Sequence, residues 1–288
     1  MVQFIRRACW CSLLFFVLTE SNLLHAEEKS AGTLFVKDAL TTPRESVSVE
    51  AKLFEKRLIN EVGLGGEPLE LVISKQVVTT SMTGGDGRGV LTHTPKALGV
   101  VPVLVRTGTS PRVEPAEGQG NLFVWERRNP ILMIELAALT QKQDQAGSVQ
   151  AFGMMFDGEA KPMPEAAEEL EKLTRFYYRV IYVVMPAASG MDGFQASEKA
   201  RAWLSRHQFP QGYVMVLPAG GSTLGMRIDE LHEEGWKTIR LGIGRTKAFA
   251  EAFIQRRLDA IMVPEPSKGD KPRKAKVAQN WKEVRKKL

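Results

Sequence analysis

The sequence predicts two domains: an all-β antiparallel sandwich, then a doubly wound α/β domain on a mainly parallel sheet. Three observations carry this. Between Thr33 and Val124 the apolar segments are short, strand-like and separated by turn residues. From Pro164 to Pro264 helix-like and strand-like segments alternate four times. Between these regions, Pro130 leads into Ile131, Leu132, Met133 and Ile134, then the carboxylate of Glu135, then Leu136 to Leu139. An apolar run without alternation reads as a strand buried on both faces, so the spacing predicts the first, central strand of a parallel sheet.

The first domain is expected over residues 33–126. Its strands are predicted at 33–36, 47–54, 69–73, 77–82, 89–93 and 100–105, with a last one at 121–125. Ser74 to Gln76 fits a tight hairpin and Thr83 to Gly89 a longer glycine-rich turn. Residues 107–120, rich in Pro, Gly, Ser and Glu, read as a long loop. Asp86 reads as turn chemistry and not a calcium ligand, and His93 as a strand surface residue.

The second domain is expected over 130–264, joined by a charged hinge too short to let the domains swing freely. After a polar stretch with one flap-like strand at 149–156, Pro164 opens a helix with Ala166, Leu170, Leu173 and Tyr177 on one stripe. Strands follow at 179–185, 213–217, 238–243 and 259–263. Helices lie between them at 195–207, 224–234 and 247–257, the second closed by Gly235.

The ends have their own character. Arg6 and Arg7, an apolar run from Ala8 to Leu18, and Ala26 before Glu27 outline a signal peptide over 1–26. The run is well short of the roughly 20 residues a membrane span needs. The expectation is therefore export, to periplasm or medium. Both cysteines, Cys9 and Cys11, fall in that segment, so the remainder has no disulfide, thiol nucleophile or cysteine-bound metal. Of the +6 formal charge, residues 1–26 hold +1 and 264–288 hold +6, leaving −1 for the body. Residues 265–288 thus read as a basic, disordered tail with an affinity for an anionic membrane surface.

Two resemblances add to this reading. Gly66-Glu67-Pro68-Leu69, Thr83 through Gly87-Arg88, and Thr94 to Gly99 before the last strand pair resemble bacterial immunoglobulin-like modules of extracytoplasmic proteins. That implies a sandwich without enzymatic groups. The layout of Ile131 to Leu139, Val183 to Ser189, and Leu241 to Arg245 through Phe253 resembles the haloacid-dehalogenase-like phosphatase fold. In particular it is similar to the lipin-type carboxyl-terminal domain, shared by phosphatidate phosphatases and the non-catalytic tails of phosphatidylinositol-transfer proteins.

That resemblance implies an aspartate nucleophile, a second acid two residues on, a Ser/Thr, a lysine and acids for magnesium. Here Glu135 takes the nucleophile position, Ala137 the second, and no acid follows Gly244-Arg245. Ser189 is the one candidate of the second motif, and Arg227 or Lys247 would replace the lysine. Gly220 to Gly225 follows a strand and opens a helix, so Ser222 and Thr223 could face an anion, although phosphate-loop and Gly-x-Gly-x-x-Gly spacings are absent. His207 and His232 sit late in helices, as dipole effects alone would favour.

The expectation is an exported, non-catalytic binding protein with a degenerate phosphatase-like domain. It would hold an anionic or phosphorylated ligand through Ser189, Ser222, Thr223, Arg227, Arg245 and Lys247, with no metal and no cofactor. Expected partners are such a ligand or an envelope protein, and not nucleic acid. One alternative is a divergent phosphatase using Glu135 and magnesium on a phosphomonoester such as phosphatidate. A second is a cell-envelope scaffold or adhesion protein.

Overall fold

The structure, a computed structural model, describes residues 29–57, 60–141, 160–185, 192–217, 223–267 and 269–288. The expected signal segment and the flap strand at 149–156 lie outside them.

The sandwich has two sheets. In one, β3 (Val47–Lys56) pairs antiparallel with β1 (Gly32–Val36) on one side, and with β4 (Glu61–Gly63) and β7 (Arg88–His93) on the other. The other runs β2 (Ala39–Thr41), β9 (Glu117–Val124), β8 (Gly99–Thr107), β5 (Pro68–Ile73), β6 (Gln76–Met82). The chain changes sheets between β1 and β2, and β2 then lies parallel to β9. Alternation along β3 turns Val49, Ala51 and Leu53, with Leu91 of β7, onto Leu69, Leu71 and Val105 of the other sheet, the face-to-face packing that defines such a sandwich. Ser74 and Lys75, both at positive φ, make the two-residue β5–β6 turn.

The loop expected over 107–120 is shorter than that, because β9 already begins at Glu117. Gly118 and Gly120 are strand residues. A Cβ at Gly118 would stand 2.4 Å from the Leu34 carbonyl oxygen and one at Gly120 2.9 Å from Val36 Cγ1. The glycines admit close approach of β1, a use that composition does not separate from a turn.

The second part is a six-stranded, wholly parallel sheet in the order β12 (Tyr213–Val216), β11 (Arg179–Val184), β10 (Ile131–Glu135), β13 (Ile239–Gly244), β14 (Asp259–Met262), β15 (Lys276–Val277). All five residues of β10 are buried, as its run of apolar side chains requires. Helices α1 (Ala166–Thr174) and α2 (Gly193–Arg206) cover one face. Helices α3 (Thr223–Glu233) and α4 (Lys247–Ile254) cover the other. Helix α1 stops at Thr174, so Tyr177 leaves the predicted stripe and is 63% exposed.

The basic segment 265–288 departs from the expected disordered tail. It adds β15 to the sheet edge and a short helix, α5 (Trp281–Val284), against α1. Ala278, Trp281 and Val284 are fully buried, and the Trp281 indole donates to the Ala138 carbonyl at 3.1 Å. Burying a tryptophan is worth several kcal/mol, and the flanking lysines stay exposed and keep their solvation.

The two parts share one hydrophobic cluster besides the sandwich's own core. Phe123 and Trp125 of β9 pack in the same cluster as Ile131, Met133, Leu224, Ile228 and Trp236. Polar ties surround it. Asp38, between β1 and β2, accepts from Asn121 N at 2.9 Å and Arg201 Nη1 at 3.0 Å on one oxygen, and from Val214 N at 3.2 Å on the other. Arg201 on α2 also donates to Val36 O and Gln119 O. One ion pair thereby satisfies unpaired groups of β9 and of the outer strand β12. Lys52 pairs with Asp192, which caps α2 through Phe194 N. Among the described residues no helix is long and apolar enough to cross a membrane.

Candidate functional site

In a doubly wound sheet, ligands sit beyond the carboxyl ends of the strands where strand order reverses. Here that place lies between β10 and β13, because β11 and β12 extend the sheet one way and β13 to β15 the other. Glu135 ends β10 at this point and is 2% exposed.

Its carboxylate is already engaged. Oε2 accepts from the backbone N–H of Arg245 at 2.6 Å and of Thr246 at 2.8 Å, and Oε1 accepts from Thr246 Oγ1 at 2.6 Å. Thr246 is also the N-cap of α4, accepting from Phe249 N at 3.3 Å. The turn can close this tightly because residue 244 is glycine. A Cβ there would lie 2.3 Å from the Phe249 ring and 2.9 Å from Glu135 Oε2. The turn after β13 presents a helix N-terminus to an anion, and the anion is the chain's own side chain.

Burial pushes the Glu135 carboxyl above its ordinary range, while the Thr246 hydroxyl, the two amides and the Arg245 charge oppose that shift. The Arg245 guanidinium donates to the Thr140 carbonyl, and its buried Nε has no hydrogen-bond partner among the described residues. Burial also lowers the pKa of Arg245. Ala137, in the turn Leu136–Leu139, has no side-chain ligand atom. Among the described residues no three His, Cys, Asp or Glu side chains converge.

The predicted site residues do not form one group. Glu135 and Arg245 meet at the switch point, with Lys247 one residue past the cap, half exposed and 4.0 Å from Glu251. Ser189 and Ser222 lie outside the described residues. Thr223 opens α3. Arg227 sits elsewhere: it pairs with Glu230 at 2.9 Å and Glu234 at 3.0 Å and lines the domain junction. Asp86 accepts from Arg88 N within its turn. His207 caps α2 beside the Trp203 ring, and His232 bonds to the Ile239 carbonyl.

Two cavities lie at the domain junction. One, of about 1100 Å³, lies between β8–β9 and α2–β12, with Lys75, Arg106, Glu117, Glu198 and Arg201 among its walls. The other, of about 620 Å³, includes Lys37, Glu50, Tyr213 and Arg227. Burial raises the Tyr213 hydroxyl to about 12, with the nearby Arg227 charge opposing that rise. Sequence reasoning missed both clefts and the Asp38–Arg201 tie.

The class that this geometry defines is a β-sandwich fused to a doubly wound parallel α/β domain with a self-engaged switch point. No family model matches the chain, and no curated protein does. Similar solved structures include the D,D-heptose 1,7-bisphosphate phosphatase from Burkholderia thailandensis. It is 11% identical, with a TM-score of 0.39 over 53% of this chain and 94% of that one. The D00-D0 domain of intimin is 16% identical, with a TM-score of 0.24 over 33% of this chain and 46% of that one. The PKD domain of human KIAA0319 is 14% identical, at 0.23, over 36% and 89%. Likenesses of this size assign neither a family nor an activity.

Proposed function

We propose that this is an exported, non-catalytic binding protein, an immunoglobulin-like sandwich followed by a haloacid-dehalogenase-like domain that has lost phosphoryl-transfer chemistry. One observation carries the reading: both oxygens of Glu135 are held by Arg245 and Thr246. A carboxylate nucleophile needs a lone pair free and aimed at phosphorus. A magnesium ion would need those same oxygens, together with hard ligands where Ala137 and the cationic Arg245 stand. The described residues at the switch point therefore do not fit that ion.

Among the described residues, what remains beside the strand ends is positive: the Arg245 guanidinium and the Lys247 ammonium. These suit a small anionic or phosphorylated ligand. Export is supported by the basic start and apolar run of residues 1–26. Calorimetric titration with a phosphomonoester, run with product analysis, tests the reading. Binding without product release is expected, weakened in Arg245→Lys and Lys247→Ser. Magnesium-dependent product release, or no binding, would count against it.

A further inference from the structure

We propose that the docked segment 265–288 is a fixed cationic platform that binds an anionic lipid surface. The described basic residues of this segment divide into two sets. Lys276 lies 3.8 Å from Asp259, Lys282 pairs with Glu165, and Arg285 lies 4.0 Å from Glu169, so each of these three has an acid of the body beside it. Lys271, Arg273, Lys274, Lys286 and Lys287 are all exposed and make no ion pair among the described residues.

Their backbone is pinned. Pro272 is buried among the first three and Ala275 directly after them, and Trp281 and Val284 are buried ahead of the last two. Glu283, the acid within the short helix, is occupied by Gln279 N. Cations held on a packed segment lose less freedom on meeting a charged surface than the same cations on a mobile chain.

The body from 27 to 263 carries a formal −1, so the net positive charge of the chain comes mainly from this segment. The partner is better described as a lipid surface than as nucleic acid. The single aromatic residue of the segment, Trp281, is fully buried and offers no face for a base to stack on. Leu288, 40% exposed beside Lys286 and Lys287, can enter a headgroup layer.

The test is co-sedimentation of the full chain with vesicles of equal parts phosphatidylglycerol and phosphatidylcholine, and with phosphatidylcholine alone. Binding is expected to the first only and is released by salt. A variant carrying Lys271→Ser, Arg273→Ser, Lys274→Ser, Lys286→Ser and Lys287→Ser should partition at least about tenfold more weakly. Its denaturation midpoint should match the parent's, since all five sites are exposed. A pair of control changes, Lys56→Ser and Lys96→Ser, should leave binding unchanged. The proposal is overturned if the parent ignores anionic vesicles or if the five-site variant binds as well as the parent. It is equally overturned if single-stranded DNA is bound where the vesicles are not.

Discussion

Asp38 and Glu135 are both carboxylates buried at the end of a strand, and they are held in different ways. Asp38 faces a guanidinium and two backbone amides that come from three separate parts of the chain. Both of its oxygens meet donors that cannot reverse. Glu135 meets two amides on one oxygen and a hydroxyl on the other, and a hydroxyl can turn from donor to acceptor. The first is an electrostatic tie between domains. The second is a carboxylate used as an internal anion. The comparison shows that a buried acid at a place associated with function is read from its partners and not from its burial.

The largest effect is expected from breaking the tie. Asp38→Ala leaves Asn121 N and Val214 N without an acceptor and the Arg201 charge without its counter-ion, and should cost about 3–5 kcal/mol by chemical denaturation. Glu135→Ala leaves two amides unsatisfied beside a small void and should cost about 2–3 kcal/mol. The amide substitutions sharpen the difference. Asp38→Asn sets an NH₂ group against one of the fixed donors and should cost about 2 kcal/mol. Glu135→Gln can accept from both amides with its oxygen and donate to a reversed Thr246 hydroxyl, so it should stay within about 1 kcal/mol of the parent. If both amide variants fell equally, the distinction drawn between the two sites would be wrong.

The smallest effect is a slope with pH. Burial raises both carboxyls above their ordinary range. The folded state therefore holds those protons more tightly than the unfolded chain does. The contribution of each group to stability is greatest below the ordinary carboxyl pKa and falls as pH rises through the folded value. Denaturation midpoints from about pH 4 to about pH 7 should show Glu135→Gln gaining on the parent as pH rises. A constant gap across that range would mean that Glu135 titrates normally.

The sequence makes some of this legible. The unbroken apolar run of β10 and the alternation after Pro164 place Glu135 at the end of a central strand. That its oxygens are captured by Arg245 and Thr246 depends on the register of β10 against β13, which periodicity does not contain. The partners of Asp38 lie 83, 163 and 176 residues away, so no local signal marks it. Strands β2 and β4 have three residues each, too few to show a period. In the basic segment, prolines, glycines and a charge run hid the anchors Ala275, Ala278, Trp281 and Val284, which the structure buries one by one.

The most direct measurement is release of p-nitrophenol from p-nitrophenyl phosphate in excess magnesium, comparing the parent with Glu135→Gln, the substitution expected to keep the fold. Equal rates, at the level of the uncatalysed reaction, are predicted. A magnesium-dependent rate in the parent that Glu135→Gln abolishes would show that the carboxylate leaves its amides to attack phosphorus, and would contradict the account.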